Sequence, residues 1–117
     1  MTVDLHLRRR RGARVRTIAV DSGEHRVLRL DTVLRILSAS GRGRVLTPNE
    51  FRIVMALLDR RGQVVRRDEV VALAWFPGAA VRSATLDAYL HRIRCHLEVL
   101  EADLTIETVR GVGWVLH

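Results

Sequence analysis

The sequence predicts an α+β fold in the order antiparallel sheet, three helices, β-hairpin. Three observations carry this. Short β-branched runs separated by turn residues fill the first third of the chain. A helix-start signature opens at Thr47-Pro48-Asn49-Glu50, and two more helical patterns follow it. Two short apolar runs around Arg110-Gly111-Val112 close the chain.

The length of 117 residues suits one domain, or one domain with an arm. About half of the chain is hydrophobic (48%), enough for a single small core. Aromatics are scarce, so that core must be built from Val, Leu, Ile and Ala. All 20 basic residues are Arg, a usage that partly reflects codon bias in a GC-rich genome. The net charge of +7 favours a polyanionic partner. Its distribution is uneven: residues 1–46 carry eleven Arg against Asp4, Asp21, Glu24 and Asp31, a sum of +7, whereas residues 47–117 carry nine Arg and nine acids, a sum of zero. A nucleic-acid role for the second part must therefore rest on where its arginines stand. The one cysteine, Cys95, excludes an internal disulfide framework and fits a reducing cytosol. No apolar run reaches membrane-spanning length, and none of signal-peptide length follows the N-terminal arginines. A soluble, cytoplasmic, nucleoid-associated protein with no membrane partner is expected.

Along the chain, residues 1–14 read as a basic flexible arm, because Arg8 to Arg11 and Arg14 repel one another in a compact arrangement. Residues 15–117 read as the folded domain. Its sheet, over 15–46, takes three or four strands from Val15–Val20, Arg26–Leu30, Val33–Leu37 and Arg44–Leu46, with turns at Asp21-Ser22-Gly23-Glu24 and Ser38–Gly43. Gly41-Arg42-Gly43 reads as a turn and not as a catalytic glycine-rich loop.

Three helices are expected over 47–100. In the first, Thr47 caps the free amides, Pro48 suits the first helical position and Glu50 closes a capping box. Phe51, Val54, Met55 and Leu58 form one apolar face, and Gly62 takes the left-handed cap. The second helix spans about Asp68–Trp75, with Asp68 and Glu69 at its positive end and Val70, Leu73 and Ala74 facing the core. Pro77-Gly78 makes a loop. The third runs from Ser83 to Leu97 or Leu100, with Leu86, Leu90, Ile93 and Leu97 as its buried stripe. Thr105–Val109 and Gly113–Leu116 form the hairpin of residues 104–117.

The third helix carries a second face of Thr85, Ala88, Tyr89, His91, Arg92, Arg94, Cys95 and His96. An α-helix fits the major groove of DNA, and guanidinium groups bond guanine edges or clamp phosphates. A short helix, a loop and this helix make a helix-turn-helix-like arrangement, although a solvated helix in an ordinary bundle has the same pattern. Arg110, at a glycine-flanked tip, suits a narrow minor groove. His91 and Cys95 stand at i, i+4 without a second ligand cluster, so no metal and no cofactor is expected. Asp68 and Glu69 lack a nucleophile or His partner, so no enzyme is expected.

These residues resemble a known family. Leu46-Thr47-Pro48-Asn49-Glu50-Phe51 is similar to the first-helix signature of OmpR/PhoB-type effector domains of response regulators. Gly62-Gln63-Val64-Val65-Arg66-Arg67-Asp68-Glu69-Val70 resembles that family's turn and second-helix start, with Trp75 where its Trp ends the helix. Thr85-Leu86-Asp87-Ala88-Tyr89-Leu90 and then Arg92-Ile93-Arg94 resemble its recognition helix, and Thr108-Val109-Arg110-Gly111-Val112-Gly113-Trp114 its wing. The resemblance implies a winged helix-turn-helix and a sequence-specific regulator that binds double-stranded DNA. The implied contact set is Arg82, Thr85, Ala88, Tyr89, His91, Arg92, Arg94 and Arg110, with Arg92 reading bases and Arg110 entering the minor groove. It also implies an RNA polymerase contact through the loop of Phe76, Pro77, Gly78, Ala79, Ala80 and Val81.

The chain departs from the pattern at several places. Ala84 stands where many members have Arg, Tyr89 where many have His, and Arg66 where a capping Ser is common; His91 replaces a frequently polar or basic residue, and the Phe76–Arg82 loop lacks the usual acids. No stretch is long enough for a receiver domain, so a stand-alone effector, or one controlled by a separate partner, is expected, acting as a weak homodimer or as monomers on tandem sites. The alternatives are a winged helix that binds RNA polymerase or another regulator, and a non-specific nucleoid-type DNA binder led by the arm.

Overall fold

The computed structural model describes the backbone of residues 3–10, 13–21 and 27–117, and side chains from residue 28 onward. Its elements are β1 (Val3–Arg10), β2 (Ala13–Asp21), β3 (Val27–Asp31), β4 (Ile36–Ala39), β5 (Arg42–Val45), α1 (Pro48–Asp59), β6 (Val64–Arg66), α2 (Arg67–Ala74), α3 (Ser83–Val99), β7 (Ile106–Val109) and β8 (Gly113–Leu116). The expected order of sheet, three helices and hairpin is therefore present. The chain forms two compact units, one of Met1–Thr47 with His96–Asp103 and one of Pro48–Cys95 with Leu104–His117.

The first unit holds a five-stranded antiparallel meander in the order β1-β2-β3-β4-β5. Leu28, Leu30, Leu37, Ala39 and Leu46 are buried, in the period-2 alternation of a sheet with one covered face. Two expectations are corrected here. Residues 1–14 are not a free arm over their described part, since Val3–Arg10 pairs with Ala13–Val20 along its whole length. Backbone pairing outweighs the side-chain repulsion that argued for an arm. The strand expected at Val33–Leu37 begins only at Ile36. The Asp31 carboxylate accepts the amides of Val33 and Leu34, both at 2.9 Å, and folds the chain into a turn that leaves these two side chains exposed. Ser40 and Gly41 both have positive φ (53° and 77°), the pair that a two-residue type I′ hairpin requires between β4 and β5. The turn expected at Ser22–Glu24 lies outside the described residues, as do residues 11–12 of the basic segment.

At the C-terminal end of α3, Arg42 Nη1 donates to the Val99 carbonyl at 3.1 Å and Arg44 Nε to His96 Nδ1 at 3.0 Å. The guanidinium of Arg42 thus meets an orphan carbonyl at the negative end of the helix dipole.

The second unit packs α1, α2 and the first part of α3 with a three-stranded antiparallel sheet, order β6-β8-β7. The strand β6 went unanticipated, and residues 62–66 had read as a turn alone. Gly62, at φ +83°, ends the α1 segment and donates to the Leu116 carbonyl at 2.9 Å, which starts β6 beside β8. Val65 is fully buried in β6.

The buried face of α1 is also shifted. It comprises Glu50, Ile53, Val54, Ala56, Leu57 and Leu58, with Phe51 and Met55 half-buried on its flank. Apolar residues fill almost every position from 51 to 58, so two overlapping helical stripes fit them, and the polar Glu50 disguised the one that is buried. In α2, Val70 and Ala74 are buried as expected, but Leu73 is 49% exposed. The α3 stripe of Leu86, Leu90, Ile93 and Leu97 is buried throughout.

β8 lies close against β6 at Gly113. A Cβ at Gly113 would stand 1.9 Å from the Val65 carbonyl oxygen and 2.8 Å from the Arg66 Cα. Neither is a side chain that can swing away, so only glycine fits. Gly113→Ala is expected to cost about 3 kcal/mol, the upper part of the overpacking range, read as a lowered urea midpoint with unchanged slope.

Candidate nucleic-acid interface

The third helix starts where the Arg82 carbonyl accepts the amides of Thr85 and Leu86, at 3.0 and 3.1 Å. With its apolar stripe turned inward, Arg82, Ser83, Ala84, Thr85, Ala88, His91 and Arg92 are left exposed. Of the face that the sequence singled out, Thr85, Ala88, His91 and Arg92 are exposed, whereas Tyr89, Arg94, Cys95 and His96 are half-buried.

Tyr89 is not a free member of that face. It is half-buried, meets Trp75 edge-on at 5.4 Å and 81°, and its hydroxyl lies 3.5 Å from Asn49 Nδ2. The Arg92 guanidinium lies over the Tyr89 ring at 4.4 Å, a cation–π contact. Its Nε stands 3.6 Å from Glu50 Oε2. The Glu50 side chain is only 3% exposed, whereas that of Arg92 is 53% exposed. A buried carboxylate requires compensating partners, and Arg92 supplies one from the solvent side. Ring and carboxylate together fix the direction of the guanidinium while leaving half of the side chain open.

Arg94 has a different task. Its Nε donates to the Ile106 carbonyl at 3.0 Å and its Nη2 to Thr108 Oγ1 at 2.7 Å. Both partners lie on β7, so this arginine ties the helix to the wing strand. Arg110 is exposed at the hairpin tip, where Gly111 at φ +76° and a 2.9 Å bond from Val112 N to the Val109 carbonyl close the turn. Cys95 is half-buried, with Sγ 3.7 Å from His91 Nε2. Among the described residues no group of three or more His, Cys, Asp or Glu is placed to hold a metal.

Sequence reasoning missed three residues that shape this surface. Arg67 stacks on the buried Trp114 at 4.8 Å, and its Nη2 reaches Asp87 Oδ1 at 3.3 Å. Its amide donates to the Val112 carbonyl at 3.1 Å, so α2, α3 and the wing turn meet around one side chain. Among the described residues Arg67 Nη1 is buried without a hydrogen-bond partner. Glu50 and Asn49 were read only as helix-start residues, yet both point to α3. The available signal for Glu50 was its place at i with Ile53 at i+3 and Leu57 at i+7, on the stripe that proved to be buried.

The start of α2 lacks a side-chain cap, because Arg66 has no acceptor to offer. Glu69 instead accepts the Arg66 amide at 3.3 Å and pairs with Arg60 of the α1 segment. After α2, the loop turns at Gly78 (φ +82°) and leaves Phe76 73% exposed, with Ala79 and Val81 half-buried.

Residues 41–116 match the family model described as "Transcriptional regulatory protein, C terminal". The chain belongs to this family. Within it, the Streptomyces coelicolor transcriptional regulatory protein AfsQ1 is 34% identical over 108 residues, covering 92% of this chain and 47% of AfsQ1. The response regulator ArlR of Staphylococcus saprophyticus is 32% identical over 72 residues, covering 62% of this chain and 33% of ArlR. The chain thus spans about a third to a half of the length of these relatives. The DNA-binding domain of Bacillus subtilis CssR superposes with a TM-score of 0.68 at 20% identity, over 77% of this chain and 99% of that one. The likeness to CssR establishes the winged-helix fold.

In this member of the transcriptional regulatory protein family, Arg94 is a positioning residue for the wing. Arg94→Ala is expected to cost about 1–3 kcal/mol of stability through the two lost bonds to β7. It should also speed hydrogen exchange at the amides of residues 106–109 more than elsewhere in the sheet. Unchanged exchange there would place the wing's support elsewhere.

Proposed function

We propose that this chain is the DNA-binding domain of a transcription regulator, that it reads double-stranded DNA in a sequence-specific way and that it catalyses no reaction. The observation that carries the reading is the exposed α3 face, with Arg92 held in a fixed direction by Glu50 and Tyr89. The helix enters the major groove with Thr85, Ala88, His91 and Arg92 toward the bases, and Arg92 makes the principal base contact. Arg82 contacts a phosphate beside the helix start, and Arg110 enters the minor groove. Tyr89 and Arg94 act on DNA indirectly, the first by orienting Arg92 and the second by holding the wing. Binding is by a weak dimer or by monomers on tandem sites, in the cytoplasm on nucleoid DNA.

A second reading, favoured by the 73% exposed Phe76 and the 49% exposed Leu73, is contact with RNA polymerase or another regulator through the α2–α3 loop. A partner retained after nuclease treatment and lost in Phe76→Ser would support it.

The test of the first reading is selection from a random duplex pool at physiological salt, with the natural chain and with Arg92→Ala. An enriched motif is expected, and Arg92→Ala should relax one or two of its positions and weaken binding by about 1–3 kcal/mol. Urea denaturation of the same variant separates loss of the base contact from loss of the Glu50 pair. No enrichment by the natural chain would sink the reading.

A further inference from the structure

The register of β1 and β2 gathers arginines at one end of a hairpin. Arg9 lies opposite Arg14, Arg8 opposite Val15, Arg10 opposite Ala13, and Leu7 opposite Arg16. Five arginines thus occupy the four cross-strand pairs at one end of the ladder. The acids of these strands stand at the other end: Asp4 is opposite Ala19, and Asp21 opposite Val27. Six residues separate Asp4 from Arg10, roughly 20 Å of strand. That is more than twice the distance over which physiological salt screens a charge, about 8 Å; the acid placed nearest the arginine end is Asp31 of β3, opposite Thr17 beside Arg16. Like charges directly opposite one another also oppose strand pairing. A partner with closely spaced negative charges would relieve this cost.

The second half of the chain needs such help. Its nine arginines are matched by nine acids. Arg60, Arg66, Arg67 and Arg92 stand in ion pairs with Glu69, Asp68, Asp87 and Glu50, and Arg94 is bonded to β7. Few of its cations are left for phosphates, yet phosphate contacts supply most non-specific affinity for DNA.

We infer that the arginine end of the β1–β2 hairpin binds the phosphate backbone of duplex DNA without regard to sequence. The inference rests on the DNA-binding reading and adds to it a division of labour: the hairpin provides affinity and α3 provides sequence choice.

The experiment titrates the full chain and the variant R8Q/R9Q/R10Q/R14Q with two labelled duplexes, one carrying the selected motif and one scrambled, between about 50 and 200 mM salt. For the variant, the plot of log affinity against log salt should be shallower by about 2 to 4, given roughly 0.9 per phosphate contact. Both duplexes should lose affinity by the same factor, leaving their ratio unchanged. The charge-retaining variant R8K/R9K/R10K/R14K should keep most of the slope. Circular dichroism and melting of the unbound variants guard against a folding defect, and the glutamine variant should melt no lower than the natural chain because its opposed charges are gone.

An unchanged slope with motif preference intact would overturn the hairpin assignment and leave the sequence-reading role standing. A lost slope in a chain that never preferred the motif would uphold the hairpin and overturn sequence reading. No binding of either duplex, or retention only on vesicles of anionic lipid, would overturn both.

Discussion

The winged unit depends on one contact between backbones, where β8 passes β6 at Gly113. Because no side chain stands there, the Val65 carbonyl lies where a Cβ would be. That proximity makes β6 the third strand of the sheet, in the order β6-β8-β7, and places the next residue, Trp114, in the core at 1% exposure. Arg67, the first residue after β6, then stacks on the Trp114 ring and reaches Asp87 on α3. One missing methyl group therefore sets the depth of the wing, the start of α2 and one anchor of α3. The consequences follow in sequence because adjacent residues on short elements have little freedom to take up an error.

The charged residues of α3 divide by what lies on their inner side. Arg94 faces a strand edge with an unpaired carbonyl and a hydroxyl, and it spends both sides of its guanidinium there. Arg92 sits two residues earlier, above a buried carboxylate and an aromatic ring, and stays half exposed. A planar guanidinium held on one edge and one face still has donors on its free edge, which is the arrangement that bidentate recognition uses. Lysine at the same position would keep the charge and lose the planar fork that bidentate recognition needs. Tyr89 belongs to this support: its ring orients Arg92, and Trp75 in turn packs edge-on against it.

Much of this was legible in the sequence where a residue type has a local meaning. Pro48 marked the start of α1, Gly62 marked a left-handed position, and the 3.6-residue spacing of Leu86, Leu90, Ile93 and Leu97 marked the buried stripe of α3. What was lost depended on distant partners. β6 is three residues long and exists because β8 lies beside it, so no local pattern announces it. The Asp31 turn displaced a strand by its carboxylate alone, although Val33 and Leu34 carry strand-forming side chains. Arg67, Arg92 and Arg94 are alike in sequence, and only the surroundings each one meets separate an anchor on Trp114, a directed and half-exposed guanidinium, and a tether to β7. Repulsion among Arg8 to Arg11 and Arg14 was read as a reason against structure, whereas Val3–Arg10 pairs with Ala13–Val20 along its whole length.

The arginine-rich ladder bears on how the chain divides its work. A surface that selects among base sequences gains from few, fixed charges, because each extra mobile cation raises affinity for every duplex alike. Residues 47–117 follow that logic in part: Arg60, Arg66, Arg67 and Arg92 stand in ion pairs, Arg94 is bonded to β7, and the formal charge is balanced. The excess of positive charge stands in residues 1–46, where the residues that line one another are arginines at a strand end and not groups arranged to discriminate bases. On the proposed reading, separating the two tasks lets the α3 face keep an ordered surround, in which a wrong base would leave Arg92 unpaired without being offset by nearby unspecific attraction. Moving the basic residues onto α3 would raise total affinity and lower the ratio between right and wrong sites.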